Sequence, residues 1–139
     1  AAMCCGMVDR ALQIAADYGR RRMAFGIRLG EHQGWRWPLG EADIALSAGR
    51  QLVANAVSLI DRGEDSQFAA AKAKIFATRM AERHLPALAQ LMGAEGLRDT
   101  YPFSRHMIGA KIAGFVDGST EMLLERLTQQ YTKPARGQT

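Results

Sequence analysis

LGEADIALSAGRQLVANAVSLI, residues 39–60, sets the architecture. Leu39, Ala42, Leu46, Gly49, Val53, Ala56 and Ile60 recur here at alternating three- and four-residue spacing. That period gathers side chains on one face of an α-helix, and a stripe sustained this long packs along a neighbouring helix at a shallow angle. Upstream, Met7, Ala11, Ile14 and Tyr18 form a second stripe, and GRRRMAFG (19–26) closes it with cations in the last turn and a glycine. Downstream, Gly63 stops the long helix, and GEDSQ (63–67) is a loop with Asp65 or Ser66 as the next N-cap.

A third helix carries Phe68, Ala71, Ile75 and Thr78 and continues toward Leu91. Pro86 lies inside it, removes a backbone donor and clashes one turn back, so a kink or break is expected near 83–86. MGAEGLRDTYP (92–102) is turn-rich, a shorter helix follows over 102–114, and a last one over about 119–131 turns Leu123, Leu124, Leu127 and Tyr131 inward. No segment alternates with period two, so no sheet is expected. The prediction is an all-α, up-and-down four-helix bundle with an additional short helix over 1–132, and a flexible tail over 133–139.

Length and composition agree: 139 residues, 47% hydrophobic and 23% charged, describe one globular domain. No apolar run is long enough to span a bilayer, and the start lacks the basic-then-apolar order of a signal peptide. Without an initiator Met the chain reads as a fragment. Cys4 and Cys5 are adjacent, so on a helix they diverge; they read as reduced packing residues, which suits the cytoplasm. The net charge of +4 is spread out apart from GRRR (19–22), and no dense basic face for nucleic acid is evident. His32, His84 and His106 have no metal-ligand spacing, and there is no nucleophile elbow.

Several segments carry two readings from the residues alone. Asp117-Gly118-Ser119-Thr120-Glu121 serves as a helix start, or it places a carboxylate where a ligand approaches closely. The arginines of GRRR complement a helix C-terminus or bind phosphate. QLMGAEG (90–96) ends a helix or lets a nucleotide lie against backbone, and Trp35 and Trp37 are core or subunit-contact residues.

Taken in order, the segments resemble the C-terminal helical domain of the flavin-dependent acyl-CoA dehydrogenase family over nearly the whole chain. RRRMAFG followed by GEHQ (30–33) is similar to the family's Q-R-x-x-F-G and G-E-x-Q. QLMGAEG is similar to Q-I-x-G-G-x-G, and YPFSRHMIGAKIAGFVDGSTEM (101–122) matches without a gap Y-P-V-E-R-L-x-R-D-A-R-I-x-x-I-Y-E-G-T-S-E-I.

The resemblance implies FAD as cofactor. Arg22, Phe25 and Gln33 would reach the FAD of an adjacent subunit, with Gln90 and Gly93 against its adenosine part. Ser119 and Glu121 would touch the flavin of the chain's own subunit, and Gly118 would let the substrate thioester lie close. It implies that Asp117, at the place of the family's catalytic glutamate, removes the proton alpha to the thioester while a hydride leaves the beta carbon for the flavin. Phe115 and Val116 would bury that carboxylate and raise its basicity. An acyl-CoA substrate, an electron acceptor such as an electron-transfer flavoprotein, and a homo-oligomer are implied with it. Aspartate is shorter than glutamate by one methylene, about 1.5 Å of reach. A nitroalkane oxidase-like enzyme, which uses an aspartate base, and a non-catalytic assembly module are the alternatives.

Overall fold

In the computed structural model, which describes residues 1–132, the long stripe becomes one face of α2 (Gln33–Asp61). The other helices are α1 (Ala2–Arg21), α3 (Gln67–Gln90), α4 (Phe103–Phe115) and α5 (Thr120–Thr132). The tail expected over 133–139 lies outside the described residues. Two short 3₁₀ turns, Leu29–Glu31 and Gly93–Leu97, complete the helical part.

α3 is the central rod, packed against α1, α2, α4 and α5. Its alanines explain why it can touch so many neighbours: Ala71, Ala73, Ala77, Ala81 and Ala89 are all buried, and short side chains let helices approach closely. Leu85 and Leu88 fill the remaining space against Val8 of α1, Leu46 of α2 and Phe103 of α4 in one continuous core. Fully burying a side chain such as Phe103 contributes about 1.5–3 kcal/mol. Cys4 and Cys5 are free thiols inside this core, and burial pushes both thiols up, which keeps them protonated.

Three expectations need correction. α3 runs unbroken through Pro86; the proline sits near its C-terminal end with its ring outward, and the buried Leu85, Leu88 and Ala89 hold the helix together around the missing hydrogen bond. α2 begins before the stripe, at Gln33, with Pro38 inside it. A sheet does exist: β1 (Met23–Ala24) and β2 (Ile27–Arg28) pair antiparallel, too short to show any alternation. Finally, Ile60 and Tyr131 lie outside the core, 59% and 80% exposed, each in the last turn of its helix. Ser66 is the N-cap residue of α3, but the Asp65 carboxylate makes the hydrogen bond, accepting from the Gln67 amide at 3.0 Å.

Candidate functional site

The candidate residues divide between two regions, and α3 separates them. At one end of the bundle α1 stops at Arg21, where Arg22 turns to extended backbone and its amide donates to the Tyr18 carbonyl. The Arg22 side chain is exposed and has no partner among the described residues. The chain then makes the β1–β2 hairpin in the register Ala24↔Ile27, leaving two turn residues, Phe25 and Gly26, at φ 53° and 82°. Two positive φ values are what a type I′ turn requires, and its twist suits paired strands. For phenylalanine this conformation is a true outlier, costing roughly 1–2 kcal/mol. Its ring is 97% exposed at the tip, edge-on to His32, whose Nε2 lies 3.3 Å from the Ala24 carbonyl.

Trp35 fixes this corner. Its six-membered ring lies so close over Gly19 of α1 that any Cβ there would overlap it, and its Nε1 donates to the Leu91 carbonyl beyond α3 at 2.9 Å. One indole thus joins the end of α1, the start of α2 and the end of α3. Gln33, the first residue of α2, is exposed beside it. Gln90 and Gly93, the latter at φ 61°, line a cleft of about 480 Å³ with Pro86, Ala89, Ala94 and Leu97. Of the two tryptophans, Trp35 is therefore the packing residue and Trp37, 64% exposed, faces outward.

The second region lies toward the other end of α3. From Lys74 to Gln90 is sixteen residues of helix, which at 1.5 Å per residue is about 24 Å along the axis. Here α4 ends at Phe115, and Val116, Asp117, Gly118 and Ser119 lead into α5. Asp117 and Gly118 both have positive φ, 53° and 92°. Phe25 and Asp117 are the two non-glycine residues with positive φ among the described residues. Both are candidate site positions. Aspartate tolerates this conformation better than phenylalanine does.

Asp117 does not cap α5. Ser119 does so: its Oγ accepts from the Met122 amide at 3.3 Å and its carbonyl from the Leu123 amide at 3.0 Å. Glu121 joins the cap, and hydrogen bonds from its own backbone amide and from the Ser119 hydroxyl hold its carboxyl below the usual range. Ser119 and Glu121 therefore have a local role that is independent of any ligand. The Asp117 carboxylate is exposed and has no partner among the described residues. The burial expected from its neighbours is not supplied within this chain, since Phe115 is 64% and Val116 48% exposed and the Phe115 ring instead meets the Lys111 ammonium.

The residue that sequence reasoning missed is Lys74. Its Nζ donates to the Val116 carbonyl and, at 2.6 Å, to the Gly118 carbonyl. AKAK (71–74) reads as ordinary helix, and no local spacing shows that this lysine meets a loop more than forty residues away. Nearby, Thr78, Arg79, Glu82, Lys111, Thr120 and Glu121 line a polar cleft of about 160 Å³. Among the described residues no three potential ligands gather for a metal, and no helix is long and apolar enough to cross a membrane.

Comparison with known proteins places the chain in a family. The family model for the acyl-CoA dehydrogenase C-terminal domain matches residues 1–132. A short-chain-specific acyl-CoA dehydrogenase of Clostridium acetobutylicum is 33% identical over 122 residues, covering 88% of this chain and 32% of that protein. The solved butyryl-CoA dehydrogenase of Megasphaera elsdenii superposes with a TM-score of 0.91 at 30% identity, over 95% of this chain and 34% of that one. A 3-sulfinopropanoyl-CoA desulfinase of Paraburkholderia xenovorans is 33% identical over 120 residues, 85% of this chain and 30% of that protein. The chain spans about a third of the length of these relatives. A family model that matches the bundle over residues 1–132, and a solved relative that superposes on 95% of the chain, leave one assignment: this chain belongs to the acyl-CoA dehydrogenase family and corresponds to its C-terminal domain.

Proposed function

We propose that this domain serves an FAD-dependent enzyme that dehydrogenates an acyl-CoA thioester between its alpha and beta carbons, with Asp117 as the base. The observation that carries this reading is the Asp117 carboxylate itself, without a partner in a left-handed turn while its neighbour Ser119 takes over the capping. A carboxylate released from structural duty and set beside a glycine is free to meet a ligand. The alpha proton of a thioester is weakly acidic, so the base must lie within hydrogen-bond reach and out of water. The rest of the protein and the substrate would supply that enclosure, which raises the carboxylate's basicity. Gly118, lacking a side chain beside it, leaves room for the thioester.

The residues present fit the flavin: a free guanidinium at Arg22, an exposed aromatic at Phe25 and amides at Gln33 and Gln90 stand at one end of the bundle with Gly93. Arg22 would meet the pyrophosphate of a neighbouring subunit's cofactor, Gln90 and Gly93 its adenosine part, and Ser119 and Glu121 the flavin of the same subunit. FAD, when bound, supplies the acceptor for the hydride that leaves the beta carbon. Apolar side chains left outward on α2, Trp37, Ile44 and Val57 among them, support a homo-oligomer and contact with further domains. An electron-transfer flavoprotein is the acceptor this reading implies.

The test is anaerobic flavin bleaching in the full-length protein by a panel of acyl-CoAs. Asp117→Asn, its intact mass checked because Asn-Gly pairs deamidate, should slow bleaching by about 10²–10⁴-fold. Wild-type turnover in that variant would overturn the assignment of the base. The likeness to the desulfinase favours one second reading, in which the same carboxylate faces a CoA thioester whose reaction breaks a carbon–sulfur bond. Product release from a sulfinyl-acyl-CoA without bleaching would select it.

A further inference from the structure

We infer that Lys74 is the positioning residue of the Asp117 turn. This rests on the assignment of Asp117 as base and adds to it the device that holds the base in place. The Lys74 ammonium donates to the carbonyls of Val116 and Gly118, the residues on either side of Asp117. Asp117 at φ 53° and Gly118 at φ 92° occupy the sparsely populated half of backbone space. A turn of this kind relaxes to other basins unless its surroundings fix it. With both flanking carbonyls drawn to one donor, Asp117 cannot change its backbone basin without breaking at least one of these bonds.

The anchor is rigid. Lys74 lies in the central helix α3, beside the buried Ala73 and Ile75, and the Thr78 hydroxyl bonds back to the Lys74 carbonyl at 2.9 Å. The ammonium has no carboxylate partner among the described residues, so its charge is directed at the two carbonyls alone. Lysine suits this task because its three protons radiate from one compact nitrogen, whereas the planar fork of arginine is matched to a carboxylate. Val116 is also the C-cap residue of α4. A purely structural reading of the same contacts is therefore a cation closing that helix end, and the test must separate the two.

In the full-length flavin-loaded protein, Lys74→Met should lower kcat for acyl-CoA-dependent flavin reduction by about 10–100-fold, the order that a misplacement of about 1 Å produces. KM should stay within about threefold and FAD content should be unchanged. Lys74→Arg, which keeps a donor, should recover to within about tenfold of wild type. Unchanged kcat in Lys74→Met overturns the inference. So does an equal loss in Lys74→Met and Lys74→Arg that follows loss of FAD and thermal stability. If no acyl-CoA of the panel reduces the flavin of the wild-type protein, the catalytic reading fails, and amide hydrogen exchange decides the positioning alone. Faster exchange over 116–119 in Lys74→Met, with α1 and α2 unchanged, supports the clamp, and identical exchange overturns it.

Discussion

Gly19→Ala is the sharpest probe of the corner that carries Arg22, Phe25 and Gln33. A Cβ built at Gly19 would sit 2.1 Å from Cη2 and 2.4 Å from Cζ3 of Trp35. Carbon atoms pack at about 3.5–4.0 Å, so the indole would have to retreat by about 1.4 Å or more. A movement of that size takes Nε1, now 2.9 Å from the Leu91 carbonyl, beyond hydrogen-bond range. Overpacking costs about 1–3 kcal/mol and the lost bond about 0.5–1.5 kcal/mol, while alanine in place of glycine in a helix returns about 0.5–1 kcal/mol. The net is a destabilisation of about 0.5–4 kcal/mol, centred near about 2 kcal/mol, or roughly 2–14 °C in Tm for a domain of this size. Calorimetry of the single variant measures the loss, and a Trp35→Ala background supplies the control. With the indole gone, Gly19→Ala should become neutral or stabilising. A Tm at or above wild type for Gly19→Ala alone would show that the ring over Gly19 does not hold the corner.

Burial lowers the pKa of His84, aided by Arg83 and opposed by Glu41, so folding favours the neutral ring. The unfolded chain therefore takes up the proton first, and stability should fall as pH drops below about 6.5. A His84→Leu variant should show a shallower loss between pH 7 and 5, with His106 acting in the same direction; an unchanged slope would contradict this. Phe25→Gly relieves the left-handed strain and should leave Tm equal or raised while FAD retention in the full-length protein falls, whereas a fall of several degrees in Tm would show that the ring supports the fold. The 139-residue chain alone should not retain FAD through gel filtration, because Phe25, Gln90 and Asp117 are all exposed in it, and stoichiometric retention would refute this.

The bundle was legible because its signal is periodic and repeated: the stripe from Leu39 to Ala56 and the run Ala71, Ile75, Thr78 on α3 need no tertiary information, and all three α3 residues are buried. Pro86 misled because a local cost was weighed without the packing that offsets it. The hairpin escaped because two-residue strands carry no period, although Phe25-Gly26 between apolar residues is a permitted two-residue turn once the backbone adopts positive φ. The candidate site rested on motifs alone, since from the residues Asp117, Ser119 and Glu121 read as a single helix start. Their division of labour, capping for two and none for the third, is a hydrogen-bond fact. Lys74 was illegible for a different reason: its partners are carbonyls, and backbone acceptors leave no trace in sequence.

The separation of the two regions has its own consequence. Trp35 governs one end of α3 and Lys74 contacts the loop near the other, about 24 Å away along a helix that is buried on several sides. Substitutions that far apart, with no shared partner, add in free energy to within about 0.3–0.5 kcal/mol. Gly19→Ala should therefore reduce flavin retention while leaving kcat per bound flavin near wild type, and Lys74→Met should do the reverse. A double variant whose stability loss departs from the sum by more than about 1 kcal/mol would show α3 to be a deformable link between the ends. Additivity is the result a rigid α3 gives, and a rigid α3 holds the Trp35 corner and the Asp117 turn at a fixed distance.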